Sequence, residues 1–195
     1  MRRVPAFAAV LVVLGACAGH QVDLTRQGPP TLAEEPPGTE RAVVERVVDG
    51  DTIEVEITAR TDGPGAGETV VGRRYDVRLI GIDTPESVRP GTPVECFAKE
   101  ASAATKALLE GEEVSLVKDV ENVDGYERLL RYVYIEAEMA NARLVLNGYA
   151  TAYTYPPNVR HSSLFVQLER EAREANRGLW SPGTCDGHAS RRSED

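Results

Sequence analysis

Two short acidic turns and two arginines are where this sequence could do chemistry. Asp49-Gly50-Asp51-Thr52 is one turn, and Gly81-Ile82-Asp83-Thr84-Pro85-Glu86 is the other. Arg78 stands just ahead of the second turn, and Arg128 lies further along the chain. Carboxylate oxygens are what a hard divalent cation takes as ligands, with several waters retained. A guanidinium is a planar fork of donors that matches an oxyanion. Such residue types, gathered in one place, could hold a cation and an anion side by side and move a proton. Singly, each has a plainer reading. Asp-Gly-Asp is a common turn. Asp83-Thr84 ahead of Pro85 could cap a helix, because proline suits the first helical position. A strand arginine is often solvated or half of an ion pair.

The elements that must position these residues are legible as patterns. Residues 42–48 are rich in β-branched side chains, and 52–57 alternate apolar with polar, so Asp-Gly turns a hairpin between two strands. Residues 61–67 are rich in glycine and read as a long mobile tip, followed by a third strand from Val70 to Ile80. A helix is expected from Ala98 to Glu110, stopped by Gly111. Strands follow at 114–117 and 129–135, then a helix from Glu138 to Asn147 ended by Gly148. Leu164, Leu168, Ala172 and Ala175 recur at helical spacing, which makes 162–176 an amphipathic helix. The fold class is α+β: five strands forming a small barrel, with three helices.

Composition narrows the options. With 195 residues there is room for one domain and a tail. A net charge of −9 argues against coating nucleic acid through bulk charge, though not against a local basic cleft. Three histidines and three cysteines are too few for a multi-zinc protein.

The chain opens with Met1-Arg2-Arg3, an apolar run from Val4 to Leu14, and small residues before Cys17. That is the layout of an export signal, with an apolar run too short to span a bilayer comfortably. Leu14-Gly15-Ala16-Cys17 resembles the bacterial lipobox, which implies cleavage before Cys17 and a lipid on its sulfur; a plain secretion signal is the alternative. Residues 1–16 then read as a lipoprotein signal peptide and 17–40 as a disordered, proline-rich tether. Residues 41–185 read as the folded domain and 186–195 as a disordered tail. The location expected is extracytoplasmic, with the membrane reached through the lipid anchor. With Cys17 committed, Cys96 and Cys185 form an even remainder that suits one disulfide in an oxidising compartment, or else two buried thiols.

Four stretches resemble the staphylococcal nuclease (thermonuclease) family in order and spacing. They are Val47 to Thr52, Val77 to Glu86, Asp124 to Tyr134 and Gly148 to Tyr155. The Arg78-x4-Asp83-Thr84-Pro85-Glu86 run is the most specific. The resemblance implies an OB-fold barrel of five strands with three helices. It also implies a monomeric enzyme that cleaves DNA and RNA and leaves 3′-phosphate ends. Asp51, Asp83 and the Thr84 carbonyl would ligate Ca²⁺, with Asp49 beside the metal and not on it. Glu86 is the candidate base for the attacking water. Arg78 and Arg128 would clamp the phosphate. Tyr126, Tyr153 and Tyr155 would line the nucleotide pocket, barrel packing being the alternative at Tyr153.

The sequence also departs from the family. Where the family often has Lys-Tyr-Gly-Arg, this chain has Gly125-Tyr126-Glu127-Arg128. A basic phosphate contact is lost and an acid gained, so a slower or weaker enzyme is expected. A positive φ at Glu127 would add backbone strain. Two other readings remain at this point. One is an OB module that binds nucleic acid or protein without catalysis. The other is a surface lipoprotein whose acids bind calcium for stability.

Overall fold

Strand alternation and two-residue turns wind the first strands into a barrel wall. The computed structural model describes residues 38–87 and 94–185. The leader, Cys17, nearly all of the tether and residues 186–195 lie outside the described residues. Strand β1 (Glu40–Asp49) pairs with β2 (Thr52–Arg60), which pairs with β3 (Arg74–Leu79), each time antiparallel. Ile53, Val55 and Ile57 of β2 all point into the core. Register shifts along β1 mark bulges, which bend it enough to pair also with β5 (Glu113–Val117). Strand β6 (Leu129–Ile135) pairs antiparallel with β5 and parallel with β3, closing the barrel. The five strands and helices α1 (Ala98–Leu109), α2 (Ala140–Leu146) and α3 (Ser162–Glu174) form an α+β OB fold.

Short strands do the finer positioning. β4 (Ile82–Asp83) pairs with β8 (Thr151–Ala152), so the stretch after β3 is a strand and not a capped helix. β7 (Glu138–Met139) folds back on β6, so the helix expected from Glu138 begins only at Ala140. A 3₁₀ turn follows at Gly178–Trp180. Among the described residues, no helix is long and apolar enough to cross a membrane.

Three expectations need correction. The third strand does not start at Val70: Val70 and Val71 are exposed in a turn, and pairing begins at Arg74. The glycine-rich tip is not a loose end. Gly65, Ala66 and Gly67 are buried, and Lys118 N–H donates to the Gly65 carbonyl. Glu40, counted in the tether, is fully buried as the first residue of β1. It forms an ion pair with Arg131 at 2.6 Å, both side chains at 0% exposure. Its other oxygen accepts from Gly67 N–H and Thr69 Oγ1. Arg131 gives its remaining donors to Asn122 and to the Leu130 carbonyl. A buried pair of this kind persists only when every donor and acceptor is met.

Cys96 and Cys185 are disulfide-bonded across a sequence separation of 89. The bond ties the residue just ahead of α1 to the chain end beyond the 3₁₀ turn.

Candidate active site

The β1–β2 turn and the β3–β4 turn meet face to face. Gly50 has no room for a Cβ, which would stand 2.6–2.9 Å from the Thr84 side chain. Thr105 on α1 pins the first turn by donating to the Gly50 carbonyl at 2.6 Å. Gly81 makes the second turn with φ +82°, and a Cβ there would strike the Phe165 ring of α3. Asn141 of α2 steadies the same turn, donating to the Ile80 carbonyl and accepting from Val133 N–H.

Asp51 is the hub of this contact. Its Oδ2 accepts from Thr84 N–H at 3.0 Å and from Thr84 Oγ1 at 3.1 Å. Arg78 Nη2 lies 3.1 Å from the same oxygen and 3.0 Å from Asp83 Oδ1. The two carboxylates therefore already share one positive centre. Asp49 turns back to accept from Asp51 N–H, as a turn residue beside the pair. Burial, with the charge of Asp51 next, pushes its carboxyl up to about 6.

Arg128 approaches from the loop before β6. Asp124 Oδ1 accepts from the N–H groups of Tyr126 and Arg128, folding the loop. Asp124 Oδ2 takes Nε of Arg128 at 2.8 Å and Nη2 at 2.7 Å, both nitrogens on one oxygen. Arg128 Nη1 reaches Thr52 Oγ1 at 3.3 Å. Glu86 lines the same hollow, with its main chain paired to Glu95.

The hollow holds about 730 Å³ and gathers Asp49, Asp51, Arg78, Asp83, Glu86 and Arg128, with all three expected tyrosines on its wall. Tyr153 and Tyr155 stack at 6.4 Å and are 48% and 62% exposed, so Tyr153 is not a barrel-packing residue. Tyr126 is 84% exposed, with the Arg128 guanidinium over its ring.

Three supports of the site have no signature in the sequence. Asp124 carries no motif of its own, although its spacing to Arg128 suits a clamp across a tight loop. Asn158, buried after the Tyr-Pro-Pro run, accepts from Val120 and Glu121 N–H and joins the tyrosine loop to the opposite wall. Thr52, the residue after the Asp-Gly-Asp turn, meets both Asp51 and Arg128.

Residues 76–182 match the family described as staphylococcal nuclease homologue. The chain belongs to the staphylococcal nuclease family. It is 41% identical over 141 residues to a thermonuclease of Staphylococcus intermedius, which covers 72% of this chain and 76% of that protein. A thermonuclease of Staphylococcus hyicus is 38% identical over 136 residues, covering 70% and 73%. The endonuclease YncB of Bacillus subtilis is 31% identical over 140 residues, covering 71% and 60%.

Family membership makes the Glu127 departure concrete. Glu127 has φ +65°, the left-handed region that favours glycine. The loop keeps that conformation because Asp124 binds it on both sides, so Arg128 still reaches the hollow.

Among the described residues, no group of three or more His, Cys, Asp or Glu side chains is placed to hold a metal ion. A cation here would rest on Asp51 and Asp83, with main-chain oxygens and water. The donor chemistry fits, since all are hard oxygens and one positive centre already bridges both carboxylates.

Proposed function

We propose that this nuclease is an exported, Ca²⁺-dependent enzyme that hydrolyses phosphodiester bonds of DNA and RNA by water attack, leaving 3′-phosphate ends. The observation that carries the reading is one hollow shared by two carboxylates, a further acid and two arginines. Asp51, Asp83 and the Thr84 carbonyl would hold the cation. A bound cation would neutralise phosphate charge and make water easier to deprotonate. Glu86 accepts a proton from the attacking water. Arg78 and Arg128 hold the non-bridging oxygens, and their donors strengthen as charge builds in the transition state. The phosphorus–O5′ bond then breaks. Tyr126, Tyr153 and Tyr155 offer ring faces and hydroxyls to the nucleosides on either side.

Export is supported by the leader-like start and by the Cys96–Cys185 bond, which suits an oxidising compartment. Cys17 would carry the lipid, and the enzyme would work as a monomer tethered to the membrane.

The test is cleavage of DNA and RNA by the purified protein in millimolar Ca²⁺, with and without EGTA. Cleavage is expected to stop on chelation, and to fall at least ~100-fold in Glu86→Gln and in Arg78→Ala. Chelator-resistant cleavage, or variants equal to wild type, would overturn the mechanism. Binding of nucleic acid without cleavage would leave a recognition module.

A further inference from the structure

The positive centre between Asp51 and Asp83 is the very group that is meant to hold the phosphate. Arg78 Nη2 donates to Asp83 Oδ1 at 3.0 Å and forms an ion pair with Asp51 Oδ2 at 3.1 Å. Nη1 donates to the Leu79 carbonyl at 2.6 Å. Nη2 thus stands between the two carboxylates, where a cation shared by them would stand. The guanidinium cannot simply leave. The Asp51 side chain is 9% exposed, and stripping a buried carboxylate of its counter-charge is costly. Asp83, at 55%, is the looser partner and the natural side for entry from solvent.

We propose that Arg78 is an exchangeable stand-in for the divalent cation. Guanidinium and metal compete for Asp51 and Asp83, and metal entry frees Nη2 to bind phosphate. The assignment of this pair to a cation rests on the nuclease reading above; the exchange itself rests on the shared Nη2. It couples the two ligands: the phosphate ester gains Nη2 as a further donor once the cation has replaced it on the acids. By linkage the ester strengthens metal binding by the same factor. The acid pair thus stays neutralised between turnovers, and the arginine is delivered to the substrate only when the site is loaded.

Calorimetry with Ca²⁺ alone tests this without any turnover. Arg78→Met should bind Ca²⁺ at least about fivefold more tightly than wild type, because the competitor is gone. Arg78→Lys, which keeps a charge but loses the fork, should fall between. Thymidine 5′-phosphate should bind wild type at least about fivefold better with saturating Ca²⁺ than without, and this gain should shrink below about twofold in Arg78→Met. Should the methionine variant not fold, the guanidinium ¹⁵N signals of wild-type Arg78 supply a readout free of substitutions: they should move on adding Ca²⁺ alone. Unchanged or weaker Ca²⁺ affinity in the folded variants, unmoved guanidinium signals, or no Ca²⁺ binding by any form would overturn the exchange. The nuclease reading fails separately. Exchange without cleavage of DNA or RNA sinks that reading and spares this one, and cleavage without exchange does the reverse.

Discussion

Glu127 carries an avoidable strain. Its φ of +65° is a conformation in which an L side chain crowds the following carbonyl. The side chain is exposed, so packing does not repay the cost. What holds the residue there is Asp124, whose carboxylate binds the loop backbone on both sides and whose carbonyl accepts from Glu127 N–H. Glycine reaches this region without the clash, though it is freer in the unfolded chain. Glu127→Gly should therefore stabilise the protein by about 1 kcal/mol, with the urea midpoint rising at an unchanged slope. A midpoint that stays or falls would mean the glutamate makes a compensating contact. Residue type alone raised the question of Glu127, because the family pattern has glycine there, but only the backbone answers it. The clamp on Arg128 was harder to see. Asp124 looks like any acid in a polar loop, and its value lies in facing two main-chain N–H groups at once.

Elements with strong local signals were readable in advance. The alternation in β2, the apolar run of β6 and the spacing of α3 each follow from a period that the chain states within a few residues. Elements fixed by distant partners were not. β4 and β8 are two residues each and exist only because they pair across a long stretch of chain. The loop between β2 and β3 reads as mobile because its glycines are visible and its anchor is not. That anchor is the Glu40–Arg131 pair, whose members are 91 residues apart. Glu40 sits where polar tether gives way to strand, and no local pattern marks it as buried. The pair joins the start of β1, the middle of β6 and the loop that covers them. Removing one partner leaves the other charge buried and unmet. Glu40→Ala should cost about 3–5 kcal/mol, seen in chemical denaturation. Exchange of the Gly67 amide should accelerate in the same variant, since its acceptor is gone. A loss below about 1 kcal/mol would mean water enters and solvates Arg131 cheaply.

At the scale of the whole molecule, charge sets what this enzyme can hold. The net charge is −9, and among the described residues the hollow adds Glu121 and Asp124 to its other acids while offering Arg78 and Arg128 as cations. Gly125, where the family often has a lysine, supplies no charge to a neighbouring phosphate. A long nucleic acid thus gains little from phosphates beyond the one being cleaved, and meets acids on the way. Each phosphate neutralised on a single strand contributes a salt slope of roughly −0.7, so two arginines give at most about −1.4. Between 50 and 200 mM salt, kcat/KM on a single-stranded 20-mer should then fall by no more than about sevenfold. Screening of the acids should soften even that. Per bond, kcat/KM should differ little between a dinucleotide and the 20-mer. Steady-state kinetics across substrate length and NaCl concentration, at constant Ca²⁺, makes the measurement. A slope steeper than about −4, with efficiency climbing as substrate lengthens, would require a basic track beyond the hollow. The acidic surface would then be irrelevant to substrate choice. A shallow slope would instead fit an enzyme for short or unpaired strands, whose recognition is confined to the ester between its two arginines and the tyrosine faces beside it.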